Sequence, residues 1–255
     1  MESFFIYLSL LNNNIIIPPI FMMEENLLKG VKVVAFDADD TLWLNEPYFE
    51  QIEKKFCGLL EDYATHHSIS QELFKTEIKN LPLYGYGVKG YTLSMIETAI
   101  AISGHTLPIA VIEKTIEFGK ELLQKPVEVF EGIETVLQEL KGKYRLVVAT
   151  KGDLLDQEGK LTRSGLENYF HHIEVMSEKK DTEYLKLLKH LDIKADEFLM
   201  VGNSLKSDIL PVLELGGHAI HIPFHTTWAH EKIDYHIEHK NFKQFEKISD
   251  ILNIL

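Results

Sequence analysis

Cysteine is almost absent from this 255-residue chain, which contains only Cys57. One thiol cannot build a disulfide framework, so the sequence is unlike that of a small secreted protein held together by cross-links. The composition predicts a cytoplasmic protein in a reducing compartment, with Cys57 as an ordinary packing residue.

Positive charge is also scarce. The chain has 26 Lys and Arg against 39 Asp and Glu, which gives a formal net charge of −13. Such a surface repels a phosphate backbone, so a nucleic acid polymer is excluded as the main partner. A small phosphorylated metabolite stays compatible with this charge if positive side chains gather at one place.

Long apolar runs are missing as well. The longest run near the start, residues 4–11, is too short to cross a bilayer, and the first 23 residues contain no Lys or Arg to mark a secretory signal. We therefore expect residues 1–23 to form a poorly ordered appendage with no part in function, and we expect no membrane partner. A membrane anchor is the alternative interpretation of this segment.

Short β-rich runs alternate with amphipathic helical patterns along most of the chain. The predicted strands are 31–36, 144–149, 172–176, 197–201 and 218–222. The helical patterns between the later strands cover 131–141, 181–190 and 205–214. This alternation predicts an α/β fold with a doubly wound, mostly parallel sheet covered by helices.

The gap between the first two predicted strands is too long for one crossover helix. It is helical in pattern throughout, with predicted helices at about 46–65, 70–80, 90–103 and 107–124, and it is interrupted by Pro82, by glycines and by Pro108. We therefore predict an α-helical subdomain at 45–125, inserted into a core domain made of 24–44 and 126–255.

A polar segment follows each of the first four predicted strands. These segments are 37–41 (DADDT), 150–153 (TKGD), 177–181 (SEKKD) and 202–208 (GNSLKSD). Ligands of open parallel sheets bind outside the carboxyl ends of the strands. The sequence therefore predicts one site where carboxylates, a threonine, a lysine and glycine turns meet.

The order of these motifs resembles the haloacid dehalogenase (HAD) superfamily of phosphotransferases over about residues 31–225. The matching features are DxDxT after an apolar strand, a Thr before a glycine turn, a Lys, and GNSxxxD. The helical insert resembles that superfamily's type I (C1) cap. The resemblance implies a Rossmann-like core with a cap subdomain, in the phosphatase branch.

The resemblance also implies a chemistry, namely Mg²⁺-dependent hydrolysis of small phosphate monoesters. Asp37 would attack phosphorus and form an aspartyl-phosphate, while Asp39 would protonate the leaving alcohol and then activate water. The metal ligands would be the carboxylates of Asp37 and Asp208 and the backbone carbonyl of Asp39. Lys179 would offset the crowded negative charge and stabilise the transferring phosphoryl group.

The same resemblance implies that Thr150, Lys151 and Gly152 bind the phosphate oxygens at a helix start. Dehalogenases lack an acid at the position of Asp39, since a leaving halide needs no proton, so the acid favours phosphoester chemistry. The sequence departs from the family pattern at two places. Asn203 stands where an Asp is frequent, which predicts weaker metal binding, and Lys180 next to Lys179 is an alternative for the inward lysine.

The predicted cap contains a glycine-rich, aromatic stretch at 83–97, in which Tyr86 and Lys89 are the candidates for substrate specificity. A histidine-rich segment near the end of the chain has no repeated ligand spacing. We therefore interpret it as a loop after the last strand that packs Trp228 against the core, with a zinc site as the alternative. The oligomeric state is left open.

Two other functions fit the same residues. A sugar phosphomutase of the superfamily would use the same nucleophile but keep the phosphoryl group. A binding protein with a relic site would keep the fold without turnover, although the complete set of Asp37, Asp39, Lys179 and Asp208 argues against it.

Overall fold

A six-stranded parallel sheet forms the centre of the molecule in the computed structural model, which describes residues 29–233 and 236–254. The strand order is β3-β2-β1-β4-β5-β6, the order of a doubly wound α/β fold. The strands are β1 (Val33–Phe36), β2 (Arg145–Lys151), β3 (His172–Met176), β4 (Phe198–Gly202), β5 (His218–His221) and β6 (Phe242–Gln244). The predicted fold class is confirmed.

Helices cover both faces of the sheet, and alternation along β1 shows why. Val34 and Phe36 belong to a hydrophobic cluster on one face, whereas Val33 and Ala35 belong to a cluster on the other. All four side chains are fully buried, which requires a layer of helices on each side. These helices are α5 (Ile133–Leu140), α6 (Leu154–Ser164), α7 (Asp181–Leu191) and α8 (Leu210–Glu214).

Four further helices lie between β1 and α5, and we call them the cap helices. They are α1 (Glu46–Leu59), α2 (His66–Tyr84), α3 (Val88–Ile102) and α4 (Ile109–Leu123). They share a hydrophobic cluster of their own, which includes Ile52, Phe56 and Met95. A helical insert was predicted at this place from the long gap between the first two strands.

Two details of the predicted elements are wrong. Pro82 was expected to interrupt the helical pattern, but α2 runs through it to Tyr84, because the proline stands in the last helical turn. The short edge strand β6 was not predicted, since Phe242–Gln244 contains one apolar residue among polar ones. It pairs with β5 and is the true last strand.

No helix in the described part of the chain is long and apolar enough to cross a membrane. The predicted appendage at residues 1–23 lies outside the described residues.

Candidate active site

The predicted motif loops meet at the carboxyl edge of the sheet, because β1 lies between β2 and β4. The backbone N–H of Asp37 still donates to the carbonyl of Val201 at 2.9 Å, so the first acid leaves β1 directly beside the end of β4. The sheet order therefore brings together loops that are more than a hundred residues apart in the chain.

Asp37, Lys179 and Asp208 form a buried charged triad at this edge. The Lys179 ammonium donates to Asp37 Oδ1 at 2.5 Å and to Asp208 Oδ1 at 2.6 Å. Only 1% of the Lys179 side chain is exposed, whereas Lys180 is 69% exposed. Lys179 is therefore the lysine that points inward.

Burial and opposite charge act against each other within this triad. Burial lowers the pKa of Lys179, but Asp208 and Asp37 outweigh it and raise that pKa to about 12. Burial raises the pKa of Asp37 to about 7, supported by repulsion from Asp208 and opposed by Lys179. A single lysine thus compensates two buried carboxylates only in part, which favours additional positive charge at this place.

Polar groups from the loops after β1 and β4, the two central strands, hold the carboxylates in place. The Thr41 hydroxyl lies 3.2 Å from Asp37 Oδ2 and 3.3 Å from the side-chain oxygen of Asn203. The backbone N–H of Ser204 donates to Asp208 Oδ2 at 2.9 Å. A Cβ at position 202 would lie 2.3 Å from the Asp208 carboxyl carbon, so only glycine permits this approach.

The Asp39 carboxylate is held by three side chains. Trp43 Nε1 and the Lys160 ammonium donate to Oδ1 at 2.8 and 3.0 Å. Gln157 Nε2 donates to Oδ2 at 2.8 Å. Asp39 lines the same cavity as Asp37. Asp40, which was given no catalytic role, accepts hydrogen bonds from the backbone N–H groups at the start of α1.

The predicted phosphate loop follows β2. Thr150 is buried, and Gly152 has a φ of 129°, a conformation that favours glycine. Lys151 extends its ammonium to Glu231 at 2.6 Å and to the Ser207 hydroxyl at 3.0 Å. All three loop residues line the cavity, although the Lys151 charge is already compensated by Glu231.

The two predicted specificity residues lie at different places. Tyr86 lines the cavity, and its hydroxyl donates to Glu178 at 3.0 Å. Lys89 is outside the cavity lining and forms a 2.9 Å ion pair with Asp153 of the core. Lys89 therefore joins the cap helices to the core, whereas Tyr86 faces the cavity.

The prediction for Trp228 was wrong in its partner. The Trp228 ring meets the rings of Phe74 and Tyr86 edge-on, with centroids 6.4 and 6.1 Å apart. Trp228 therefore reaches Phe74 of α2 and lines the cavity, while Phe224 of the same segment packs against Phe130 of the core, with ring centroids 5.5 Å apart.

A comparison with protein families shows to which family the chain belongs. The sequence matches the family model of haloacid dehalogenase-like hydrolases over residues 31–216. The chain belongs to the haloacid dehalogenase-like hydrolases. The predicted family and the prediction that the chain is an enzyme are both confirmed.

Solved structures and curated proteins include relatives of this HAD-like hydrolase. A haloacid dehalogenase-like family hydrolase from Xanthomonas campestris is 36% identical, with 88% of this chain and 92% of that chain covered and a TM-score of 0.78. A glyceraldehyde 3-phosphate phosphatase from Methanothermobacter thermautotrophicus is 27% identical over 229 residues, 87% of this chain and 96% of the relative. A protein of the same name from Pyrococcus abyssi is 27% identical over 201 residues, 73% of this chain and 79% of the relative.

Sequence reasoning missed several polar residues of the HAD-like site. Gln157 and Lys160 follow Asp153 at helical spacing, so the polar face of α6 was a usable signal for both. Glu231 had no such signal, because it reaches Lys151, Ser204 and Ser207 from far along the chain. Burial opposes ionisation of Glu231, but these partners lower its pKa to about 2.

The histidine-rich segment does not gather into a metal cluster in the described residues. His221 lies 3.0 Å from the backbone oxygen of Asn203 and 2.9 Å from Gln244. Within residues 29–233 and 236–254, the one group of three potential metal ligands is His172, Glu174 and His190. These residues lie on the edge strand β3 and on α7, at the far side of the sheet from β6. The zinc alternative therefore has no cluster in the segment for which it was raised.

Proposed function

We propose that this HAD-like hydrolase is a Mg²⁺-dependent phosphatase that hydrolyses small phosphate monoesters through an aspartyl-phosphate on Asp37. The observation that carries the proposal is the buried triad of Asp37, Lys179 and Asp208, of which Asp37 and Lys179 line the same cavity as Asp39. The names of the relatives as glyceraldehyde 3-phosphate phosphatases support it, and that ester is a candidate substrate.

The residues at the sheet edge fit a magnesium ion. Asp37 and Asp208 supply two buried carboxylates with one lysine between them, and hard oxygen donors are what Mg²⁺ prefers. The carboxylates of Asp37 and Asp208 and the backbone carbonyl of Asp39 would hold it. When bound, the ion supplies positive charge to the phosphoryl oxygens and lowers repulsion between Asp37 and substrate.

In the proposed first step, a carboxylate oxygen of Asp37 attacks phosphorus. The new P–O bond forms as the bond to the ester oxygen breaks, and Asp39 donates its proton to the leaving alcohol. The Thr150 hydroxyl and the loop amides hold the phosphoryl oxygens, and the Lys179 ammonium stabilises their charge.

In the second step Asp39, now a carboxylate, takes a proton from water. The water oxygen attacks phosphorus, the bond to Asp37 breaks, and inorganic phosphate and the free carboxylate are restored. Gln157 and Lys160 keep Asp39 directed at the cavity in both steps.

Release of phosphate from a panel of small phosphate monoesters tests the proposal. We expect turnover with Mg²⁺, none in excess chelator, and recovery when Mg²⁺ is added back. The Asp37→Asn variant should show no detectable turnover, because an amide cannot attack phosphorus. The matched control Asp196→Asn removes an exposed carboxylate on the core and should retain full turnover.

Several outcomes would contradict the proposal. Full turnover in excess chelator excludes the metal requirement. Transfer between sugar positions without phosphate release indicates a phosphomutase, and no reaction with any ester indicates a relic site.

A further inference from the structure

The charged side chains on the cap side of the active-site cavity are all acidic. Its acidic lining residues are Glu46, Glu50 and Glu53 on α1 and Glu77 on α2, and no Lys, Arg or His of the cap helices lines the cavity. The spacing of four and three residues along α1 places its three carboxylates on one helix face. These four glutamates, which we call the acidic cap wall, make the cap side of the cavity acidic.

These carboxylates have no cation to compensate them. No Lys, Arg or His nitrogen within residues 29–233 and 236–254 forms an ion pair with any of the four. Glu53 accepts a hydrogen bond from the Ser70 hydroxyl instead. The lysines that line the core side are already paired, Lys151 with Glu231 and Lys160 with Asp39.

The carboxylates also disturb one another. Burial, followed by repulsion from Glu50 and Glu53, raises the pKa of Glu46 to about 7. Burial, followed by repulsion from Glu53 and Glu46, raises the pKa of Glu77 to about 8. Repulsion of this kind is relieved either by a proton or by a positive charge that enters the cavity, and a bound cation would keep the carboxylates ionised.

A separate observation points to a missing partner at the same wall. The hydroxyl oxygen of Tyr91, a cavity residue, is buried without any hydrogen-bond partner. Its ring meets Phe49 edge-on at 5.1 Å, and Trp228 closes the neighbouring side. Aromatic faces beside carboxylates attract organic ammonium groups through cation–π interactions.

The layout of the wall distinguishes an organic cation from a second metal ion. No three of these glutamates bring their oxygen atoms within 4.8 Å of one another, in contrast to the His172 cluster in the same described residues. The charge is spread over two turns of α1 and across to α2, so it surrounds an extended cation better than a bare ion.

We propose that the acidic cap wall binds a positively charged leaving group, so that the substrate is the phosphate monoester of an amino-bearing alcohol. The inference rests on the proposed phosphatase function and narrows its substrate class. Esters whose leaving group carries a carboxylate are disfavoured, because that carboxylate and the glutamates of the acidic cap wall repel each other.

A matched pair of substrates tests the proposal. Aminoethyl phosphate and propyl phosphate have the same chain length and differ in one ammonium group, and glyceraldehyde 3-phosphate serves as a second neutral ester. At about pH 9, above the pKa of Glu77, we expect kcat/KM to favour the amino ester by about tenfold or more, the size of one charge-assisted contact. The Glu77→Gln variant should reduce this preference about tenfold, and the control Glu113→Gln, on the exposed face of α4, should leave it unchanged.

A binding experiment separates this proposal from the proposed hydrolysis. Aminopropylphosphonate and butylphosphonate cannot be hydrolysed. Calorimetry at the same pH, with the wild-type protein and Mg²⁺, measures both affinities whether or not any ester turns over. About tenfold tighter binding of the amino compound, lost in Glu77→Gln, supports cation binding by the acidic cap wall. Equal affinities, or a preference that Glu77→Gln retains, would overturn it.

Discussion

At the scale of single residues, the contacts of the Asp39 side chain are what the DxDxT motif leaves out most. The motif places an acid two residues after the nucleophile, and the structure adds Trp43, Gln157 and Lys160 around its carboxylate. These three donors fix the direction of the carboxylate, and the proton exchange that we propose for Asp39 requires such a defined position.

Replacement of Asp39 by Asn separates its proposed role from that of Asp37. The Asp39 backbone carbonyl is unchanged, so substrate binding should persist while proton transfer fails. General acid catalysis contributes about 10²–10⁴-fold, so we expect a loss of that order on an alkyl phosphate. The loss should be much smaller on a nitrophenyl phosphate, whose leaving group needs no proton. Steady-state kcat on both esters measures this, and equal losses would rule out Asp39 as the general acid.

The sequence predicted the residues at the strand ends better than those that approach from elsewhere. Asp37, Lys179 and Asp208 were predictable because parallel strands carry their following loops to one edge. Glu231 was not, since the path of a long segment after β5 is decided by tertiary packing and leaves no local pattern.

At the scale of elements, α1 and α2 combine a packed face with a charged one. Ile52 and Phe56 of α1 are fully buried in the cap cluster, while Glu46, Glu50 and Glu53 face the cavity. Amphipathic periodicity predicted the helices, but it could not show that the polar face of α1 lines a cavity.

This charged face should make stability depend on pH. The pKa of Glu77 is about 8 when folded and about 4.5 when unfolded, because of burial and then repulsion from Glu53 and Glu46. The folded state therefore binds more protons between these values, and stability falls as pH rises through that window. Relative to wild type, Glu77→Gln should gain about 1–3 kcal/mol in unfolding free energy between about pH 5 and pH 9.

Urea denaturation at several pH values, in metal-free buffer, measures this gain. The exposed Glu113→Gln serves as the matched control and should show no pH-dependent difference from wild type. A difference between Glu77→Gln and wild type that stays constant with pH would contradict the account of the crowded wall.

At the scale of the whole molecule, the alternation of strands and helices was enough to predict a doubly wound sheet, because near-continuous apolar strands need cover on both faces. Such patterns could not predict how the cap helices are positioned on the core. Their position depends on single contacts, such as the Lys89–Asp153 ion pair and the approach of Gly87 to the Asp153 backbone, where a Cβ would lie at 3.1 Å.

The central claim is that Asp37 becomes phosphorylated during turnover. The most direct test is to mix the protein with a phosphate monoester and Mg²⁺, quench with acid within one turnover, and locate the phosphoryl group by peptide mass spectrometry. The account predicts the added mass of one phosphoryl group on Asp37, greater accumulation in Asp39→Asn, where water activation fails, and none in Asp37→Asn. Release of phosphate with no phosphorylated peptide at any quench time, or a phosphoryl group on another residue, would contradict it.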